Sequence, residues 1–409
     1  MKLKKQLEMK STGKFIQKIA YREIANILKD RDIFLIVLIA PLFYGIFYGS
    51  IYYHKLQTKE SVVIVDEDQS EMSRNLIRAI NSSEFVHVAS VLTDYSEARQ
   101  LFVDGKSQGI IIIPEEFEQN VLSGKTVTIP AYVNASHFLI SNDLNRALNE
   151  VAFALGDKIS LRYFQSKGMS ANQAVRLVEP LRLDFRPLFN TSESYGNFIL
   201  PGLLTLVLLQ TLLLGVSESF SRETEMNSLS EAYRLSNRSI AVLIIGKVLP
   251  YTLIFSSYGF FIFTIYFRFF SLNLNGNWLS LATMTLLAIM ATSFMALFIS
   301  SFFKEKITTL QFLVFTSYPF FLVSGLSWPM KSLPFWLRML THLLPTTPYL
   351  QSVVIITQMN GSWENVIVQI IELVVLTFLY FAIAAFMLKK NIEEVISITG
   401  ATVPEEQPL

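Results

Sequence analysis

The sequence predicts a multi-pass α-helical membrane protein that carries an inserted α/β domain. Of its 409 residues, 51% are hydrophobic and 16% are charged, whereas soluble proteins average about 25% charged residues. The charges are also unevenly spread, at about 23% of residues 55–196 and about 8% of residues 197–388. Six segments are apolar over about 20 residues, the length that crosses a bilayer.

One predicted span precedes the inserted domain and five follow it. The six spans are residues 33–53, 198–217, 240–267, 279–303, 307–327 and 364–388. The apolar run of the first span exceeds the 7–15 residues of a signal-peptide core, so we expect it to stay in the mature protein. The predicted divisions are a tail with an interfacial helix (1–32), the first span (33–53), the inserted domain (54–196), a five-span domain (197–388) and a second tail (389–409).

The placement of lysine and arginine predicts the orientation, because short cytoplasmic segments carry an excess of these residues. Sixteen lie in the two tails and the two short loops on one side, against three on the other side. Both termini are therefore predicted to be cytoplasmic and the inserted domain extracytoplasmic. The absence of cysteine suits an oxidising compartment. We predict a multi-pass protein of a bacterial inner (plasma) membrane.

The tail before the first span reads as an amphipathic helix over residues 12–30, with apolar side chains near one face. Its direct continuation into a span favours a helix lying along the inner leaflet. A solvated helix packed on protein is the alternative. The polar residues of interest here are Arg22, Glu23, Asp30 and Asp32.

The inserted domain alternates short β-rich runs with helical ones, which favours an α/β sandwich. The predicted strands are 61–66, 85–91, 108–113 and 127–133, and the predicted helices are 71–81, 95–104 and 115–122. A long helix is expected over 138–179, with an apolar stripe at three- and four-residue spacing. Such a stripe is typical of a core or a helix seam, and a ligand groove is the alternative.

The cytoplasmic loop 218–239 contains four acids and three arginines, and a helix over 225–235 fits it. A charged helix between spans suits docking to a soluble partner, and a solvated connector is the alternative.

The segment 328–360 mixes proline, tryptophan and aliphatic residues between two spans. Irregular backbone at membrane depth survives only inside protein or along a cavity, so we predict a re-entrant hairpin that forms an outer gate. Its candidate residues are Gly325, Pro329, Pro334, Pro345 and Tyr349.

Glu372 is the one acidic residue well inside a predicted span. An intramembrane carboxylate indicates function by default. Gln369 and Gln311 are its expected polar partners, and this pattern leaves packing and transport open as roles.

The sequence lacks the motifs of several kinds of binding and catalytic site. No phosphate-binding loop occurs, since Gly246-Lys247 lacks the upstream glycine and the following hydroxyl residue. The histidines show no metal spacing, so we predict no catalytic, cofactor-binding or metal-binding residues and no enzyme. A net charge of +1 gives no electrostatic reason to expect nucleic acid.

In order and spacing, several motifs resemble the permease subunit of type-2 ABC exporters, in the subgroup with a large external domain after the first helix. The motifs are Arg22-Glu23 and Asp30-Arg31-Asp32 with Pro41, Arg186-Pro187-Leu188-Phe189-Asn190, Phe198-Ile199-Leu200-Pro201-Gly202, Arg222-Glu223-Thr224-Glu225, Gly246-Lys247 with Pro250, Ser324-Gly325, Pro329, Pro334 and Pro345-Thr346-Thr347. The family usually carries Gly-Thr after its Arg-Glu-x-Glu cluster, whereas this chain has Asn227-Ser228. Asparagine tolerates the left-handed backbone that glycine would supply.

The resemblance implies export of a hydrophobic or amphipathic substrate such as a drug or lipid. It implies a cytoplasmic ABC ATPase partner, which holds the ATP and magnesium, and a second permease copy, either identical or a close paralogue. Membrane lipid and a periplasmic adaptor are the other expected partners. The implied coupling residues are Arg222, Glu223, Glu225, Asn227, Ser228, Glu231 and Arg234. A membrane scaffold or receptor that binds partners through the inserted domain is the alternative function.

Overall fold

The computed structural model describes residues 2–52, 59–178, 186–190, 194–272, 274 and 276–399. The chain forms two compact units, one of residues 1–55 with 187–409 and one of residues 56–186. We call them the membrane unit and the inserted unit. The predicted 53/54 boundary, residue 179 and the last ten residues of the second tail lie outside the described residues.

Six described helices of the membrane unit are long and apolar enough to cross a membrane, which confirms a multi-pass helical protein. Spans 1 to 6 are Arg31–Ile51, Tyr195–Glu225, Ile240–Phe269, Trp278–Ser300, Lys306–Val323 and Glu364–Glu394. Span 2 continues well past the predicted end at residue 217. Glu218 and Glu223 are buried by protein, so the helix does not have to end before these charged residues. Apolar content alone therefore placed the end of this helix too early.

The core of the membrane unit is formed mainly by spans 2, 3, 4 and 6, with side chains such as Leu209, Phe255, Ile289 and Leu373 fully buried. Span 5 is mostly exposed, with Phe315 at 79% accessibility. The N-terminal helix Lys2–Lys29 packs on span 3. Gly246 permits this contact, since a Cβ there would overlap Ile19.

The predicted hairpin 328–360 contains two helices, Phe335–Thr341 and Thr346–Thr357, joined by a turn over 342–345. Short 3₁₀ segments, Met330–Ser332 and Glu364–Val366, lie on either side of the pair. Pro329, Pro334 and Pro345 each stand at the N-cap of a helical segment, because the fixed φ of proline suits a helix entry. The depth of this hairpin in a bilayer stays a prediction.

The inserted unit contains a four-stranded sheet in the order β2-β1-β3-β4. The strands are β1 Glu60–Asp66, β2 Val86–Leu92, β3 Gly109–Ile113 and β4 Ala131–Val133, with β4 antiparallel to β3 and the others parallel. Helices Glu71–Asn81, Tyr95–Val103 and Phe117–Leu122 follow β1, β2 and β3. Successive side chains of β1 enter different cores, with Val62 and Ile64 on one face and Val63 and Val65 on the other, as the two-residue strand period requires.

The long helical stretch expected over 138–179 is divided in two. The chain forms Phe138–Ser166 and Ala171–Val178, with Gly168 between them at a φ of +87°. This left-handed backbone ends a helix, and only glycine adopts it without strain. Leu144 and Ala147 of the predicted apolar stripe are buried in the core of the inserted unit.

Candidate functional site

A buried cluster of four charged residues joins the N-terminal helix to spans 2 and 3. Lys247 of span 3 is only 2% exposed, and its Nζ lies 2.8 Å from Glu23 Oε2 and 2.9 Å from Glu223 Oε2. The Nη1 of Arg22 lies 2.5 Å from Glu223 Oε1. Two cations therefore balance two carboxylates, which is the condition for keeping such charges inside a protein. We call Arg22, Glu23, Glu223 and Lys247 the buried charge cluster.

Neutral donors complete the solvation of the two carboxylates. The Tyr251 hydroxyl donates to Glu23 Oε1 over 3.0 Å, and the Ser219 hydroxyl donates to the same atom. Asn26 Nδ2 donates to Glu223 Oε1 over 3.3 Å. Burial disfavours the ionised form of Glu23, but the Lys247 ammonium and these hydrogen bonds outweigh it and hold the pKa of Glu23 below its ordinary value.

A second group of charges links the start of span 1 with spans 2 and 5. Arg222 Nη1 lies 2.8 Å from Asp30 Oδ2, and Lys306 Nζ lies 2.6 Å from Asp32 and 2.9 Å from Glu218. Asp30 also caps span 1 by accepting the N–H groups of Asp32 and Ile33. The carboxylates of Asp30, Asp32 and Glu218 lie close enough together to hold a metal ion, but Lys306 already contacts two of them and supplies the positive charge.

The structure places the residues expected along the N-terminal helix in these two groups. Glu23 is 1% exposed and faces protein. A different side of the helix exposes Tyr21 (73%) and Leu28 (60%). The helix thus packs on protein along one face and keeps an apolar face outward, and its contact with a leaflet stays a prediction.

The residues expected in the loop 218–239 divide between a helix end and a short helix. Arg222 and Glu223 belong to span 2, and Glu225 Oε2 accepts the backbone N–H of Lys306 over 3.1 Å. The helix predicted over 225–235 starts later, at Leu229, because span 2 continues to Glu225 and the chain turns at Asn227 with a φ of 54°. The Ser228 N–H donates to the Glu223 carbonyl over 3.0 Å, which closes the turn.

The short helix Leu229–Leu235 follows this turn. Leu229 and Ala232 are buried, whereas Glu231 and Arg234 are exposed. The helix therefore has one face fixed to the membrane unit and one charged face open to a partner.

Two of the candidate hairpin residues have visible structural roles. Gly325 has a φ of +90°, and Tyr349 is fully buried with its hydroxyl 2.9 Å from Thr285 Oγ1 of span 4. Tyr349 thus holds the hairpin against span 4. A gating role of these residues stays a prediction.

Glu372 has a different partner from those expected. Its Oε1 lies 2.7 Å from His342 Nδ1, in the turn of the hairpin. Gln369 donates to Gln351 Oε1 over 3.3 Å, and Gln311 is exposed on span 5. The expected pairing of Glu372 with Gln369 and Gln311 is wrong. Its partner His342 belongs to a separate element, which the residue spacing along span 6 does not indicate.

Neither Lys247 nor Glu218 is among the predicted site residues. A signal for Lys247 was available, since an isolated lysine within an apolar span requires a partner inside the protein. The identity of that partner was not available, because Glu23 lies 224 residues away along the chain.

Comparison with known families gives one finding: the family model described as "ABC-2 family transporter protein" matches residues 31–386. Comparison with curated proteins finds no match.

Proposed function

The chain belongs to the ABC-2 transporter family, and we propose that it is the permease subunit of an exporter driven by ATP hydrolysis in a separate cytoplasmic subunit. The proposed substrate is hydrophobic or amphipathic, such as a drug or a lipid, and it moves outward across a bacterial inner membrane. Two permease copies and two ATPase subunits form the proposed working unit. The inserted unit, on the outer side, receives substrate or contacts a periplasmic adaptor.

The observation that carries the proposal is the attachment of the short helix Leu229–Leu235. One turn of backbone connects it to Glu223, which belongs to the buried charge cluster. Its buried residues Leu229 and Ala232 pack into the core of the membrane unit. A displacement of this helix by an ATPase is therefore passed to spans 2 and 3 and to the N-terminal helix together.

The proposed docking surface is the exposed face of that helix with the preceding turn. Glu231 and Arg234 supply opposite charges there, and Met226 is 64% exposed in the turn. An apolar side chain beside charges of both signs suits a protein partner, because such surfaces combine contact area with orientation.

The test is co-expression of the full chain with the ATPase encoded by a neighbouring gene. We expect the two subunits to purify together and the permease to change the rate of ATP hydrolysis. Glu231→Arg with Arg234→Glu should abolish co-purification without lowering the thermal midpoint of the permease. Glu393→Arg, an exposed change in the C-terminal helix, is the matched control and should leave co-purification intact. Charge reversal at Glu223 is a poor test, because it would leave the buried charge cluster unbalanced and destabilise the fold.

Export itself is tested by deletion and overexpression scored against a panel of drugs, lipids and ions. We expect accumulation of at least one apolar or amphipathic compound on deletion. Unchanged efflux across the panel, together with no associated ATPase, would contradict the proposal.

A further inference from the structure

A cavity of about 440 Å³ lies between spans 1 and 3, at the ends of these helices remote from the buried charge cluster. Its volume falls within the range of about 300–1,000 Å³ that small-ligand sites occupy. Span 1 contributes Leu42, Gly45 and Ile46, and span 3 contributes Phe261, Ile265 and Phe269 among others. The walls are apolar except for two tyrosine hydroxyls.

Those two hydroxyls are already used within the protein. Tyr258 donates to the Leu38 carbonyl over 3.0 Å, and Tyr266 donates to the Gly45 carbonyl over 2.9 Å. Each bond joins span 3 to span 1, so the two helices are connected at two levels along their length. Both spans contain a π-helical segment, Leu35–Ile39 in span 1 and Ile262–Tyr266 in span 3. Such wide turns occur often at functional sites.

The chemistry of the walls selects an alkyl chain. With both tyrosine hydroxyls engaged, the cavity can supply only dispersion contacts and the exclusion of polar groups. Its lining residues are also partly exposed on the outside of the unit, with Leu42 at 40%, Ile265 at 57% and Phe269 at 70% accessibility. Within a bilayer this surface faces lipid, so the chains that reach it are those of membrane lipids.

A cationic residue adjoins the cavity lining at the end of span 3. Arg268 directly precedes the lining residue Phe269 and is exposed, and none of the ion pairs among the described residues of the membrane unit includes it. A guanidinium at this level is complementary to a lipid phosphate. We propose that the cavity holds one acyl chain of a membrane phospholipid whose phosphate is bound by Arg268. This lipid site does not depend on the proposed transport function.

The experiment uses the full chain in vesicles of neutral and anionic phospholipids that include an anionic phospholipid with a photoreactive acyl chain. After illumination, labelled positions are mapped by peptide mass spectrometry. We expect label on Leu42, Ile46 and Ile265 in excess over Phe315 of span 5, which is more exposed than any of the three.

Filling the cavity should remove the label. Leu42→Trp and Ile265→Trp, each from one of the two helices, should lower cavity labelling about tenfold, the effect of withdrawing about five chain carbons from contact. Phe43→Trp and Phe260→Trp are the matched controls, because both are exposed neighbours outside the cavity lining, and they should leave labelling unchanged. Two filling variants on separate helices keep the test valid if one of them does not fold.

The phosphate contact is tested with Arg268→Gln against Lys331→Gln. The first should reduce labelling by the anionic phospholipid but not by a diacylglycerol with the same photoreactive chain, and the second should change neither. Labelling no greater than on span 5, or insensitive to both filling variants, would overturn the proposal. If an exported compound prevents labelling of the cavity, the proposal would also be overturned, since the cavity would then bind substrate.

Discussion

Span 3 is held near its start by buried charges and near its far end by neutral tyrosine bonds. Near its start, Lys247 forms almost fully buried ion pairs with Glu23 of the N-terminal helix and Glu223 of span 2. Near its far end, Tyr266 donates to the Gly45 carbonyl of span 1 beside an apolar cavity. The two ends of span 3 therefore meet polar networks of very different strength.

The difference indicates which end keeps its geometry. Removing one partner from a buried ion pair leaves an uncompensated charge and costs about 3–5 kcal/mol. A hydrogen bond between membrane helices contributes about 0.6 kcal/mol on average. The charged end is thus fixed, and the tyrosine end is the one at which spans 1 and 3 can separate at small cost. Four single substitutions and one double variant test this contrast.

The largest expected effect is that of Lys247→Met. It leaves Glu23 and Glu223 with only Arg22 to balance them, so the free energy of unfolding should fall by about 3–5 kcal/mol. Thermal and denaturant unfolding of the purified chain measure the loss. Lys304→Met is the control, because the Lys304–Glu394 pair is exposed at 81% and 47% and such pairs contribute at most about 1 kcal/mol.

A compensating change separates charge imbalance from lost packing. Adding Glu23→Gln to Lys247→Met leaves Arg22 paired with Glu223, while the new amide oxygen still accepts from Tyr251. This double variant should regain most of the lost stability. If it is less stable than Lys247→Met alone, charge balance is not what stabilises this end.

Glu23→Gln alone leaves Arg22 and Lys247 with only Glu223, but Arg22 is 19% exposed and water can solvate its charge. The loss of stability at pH 7 should therefore be smaller than that of Lys247→Met, at about 1.5–3 kcal/mol. Because the pKa of Glu23 is held below its ordinary value, its contribution is present above about pH 4.3 and is lost as the pH falls further. The difference in unfolding free energy between the original chain and the variant should therefore shrink on acidification. A difference that stays constant down to pH 3 would contradict this account.

Gly49→Ala tests the close approach at the tyrosine end. A Cβ there would overlap the Tyr266 hydroxyl and the Phe270 ring, so overpacking should lower stability by about 1–3 kcal/mol. Gly45→Ala is the matched control, since its Cβ would first meet the Tyr266 ring at 4.0 Å. That change should raise stability by up to about 1 kcal/mol, because alanine favours a helix. Equal effects of the two changes would show that helix approach at this end is loose.

The smallest effect is expected for Tyr266→Phe, which removes the bond to the Gly45 carbonyl and should lower stability by about 0.6–1.7 kcal/mol. Tyr318→Phe, on the exposed face of span 5, is the control and should have no measurable effect on thermal unfolding. A loss for Tyr266→Phe as large as that for Lys247→Met would remove the contrast between the two ends.

Local patterns predicted much of the fold and little of the site. The six spans and the helix Glu71–Asn81 were predictable, because length, apolar content and capping act within one segment. The break at Gly168 was visible in the sequence but was outweighed by the apolar periodicity around it. The end of span 2 was not predictable, since Glu218 and Glu223 are shielded by residues distant in the chain.

The sequence by itself determined that lipid is one solvent of this chain, that six segments are long and apolar enough to cross it, and that residues 218–239 contain four acids and three arginines. Only the tertiary structure decided which polar groups meet: it pairs Lys247 with Glu23 in the interior and Glu372 with the partly exposed His342. The physical reason is distance along the chain. Helix length and apolar periodicity are properties of neighbouring residues, whereas the partner of a buried charge depends on which helices pack side by side.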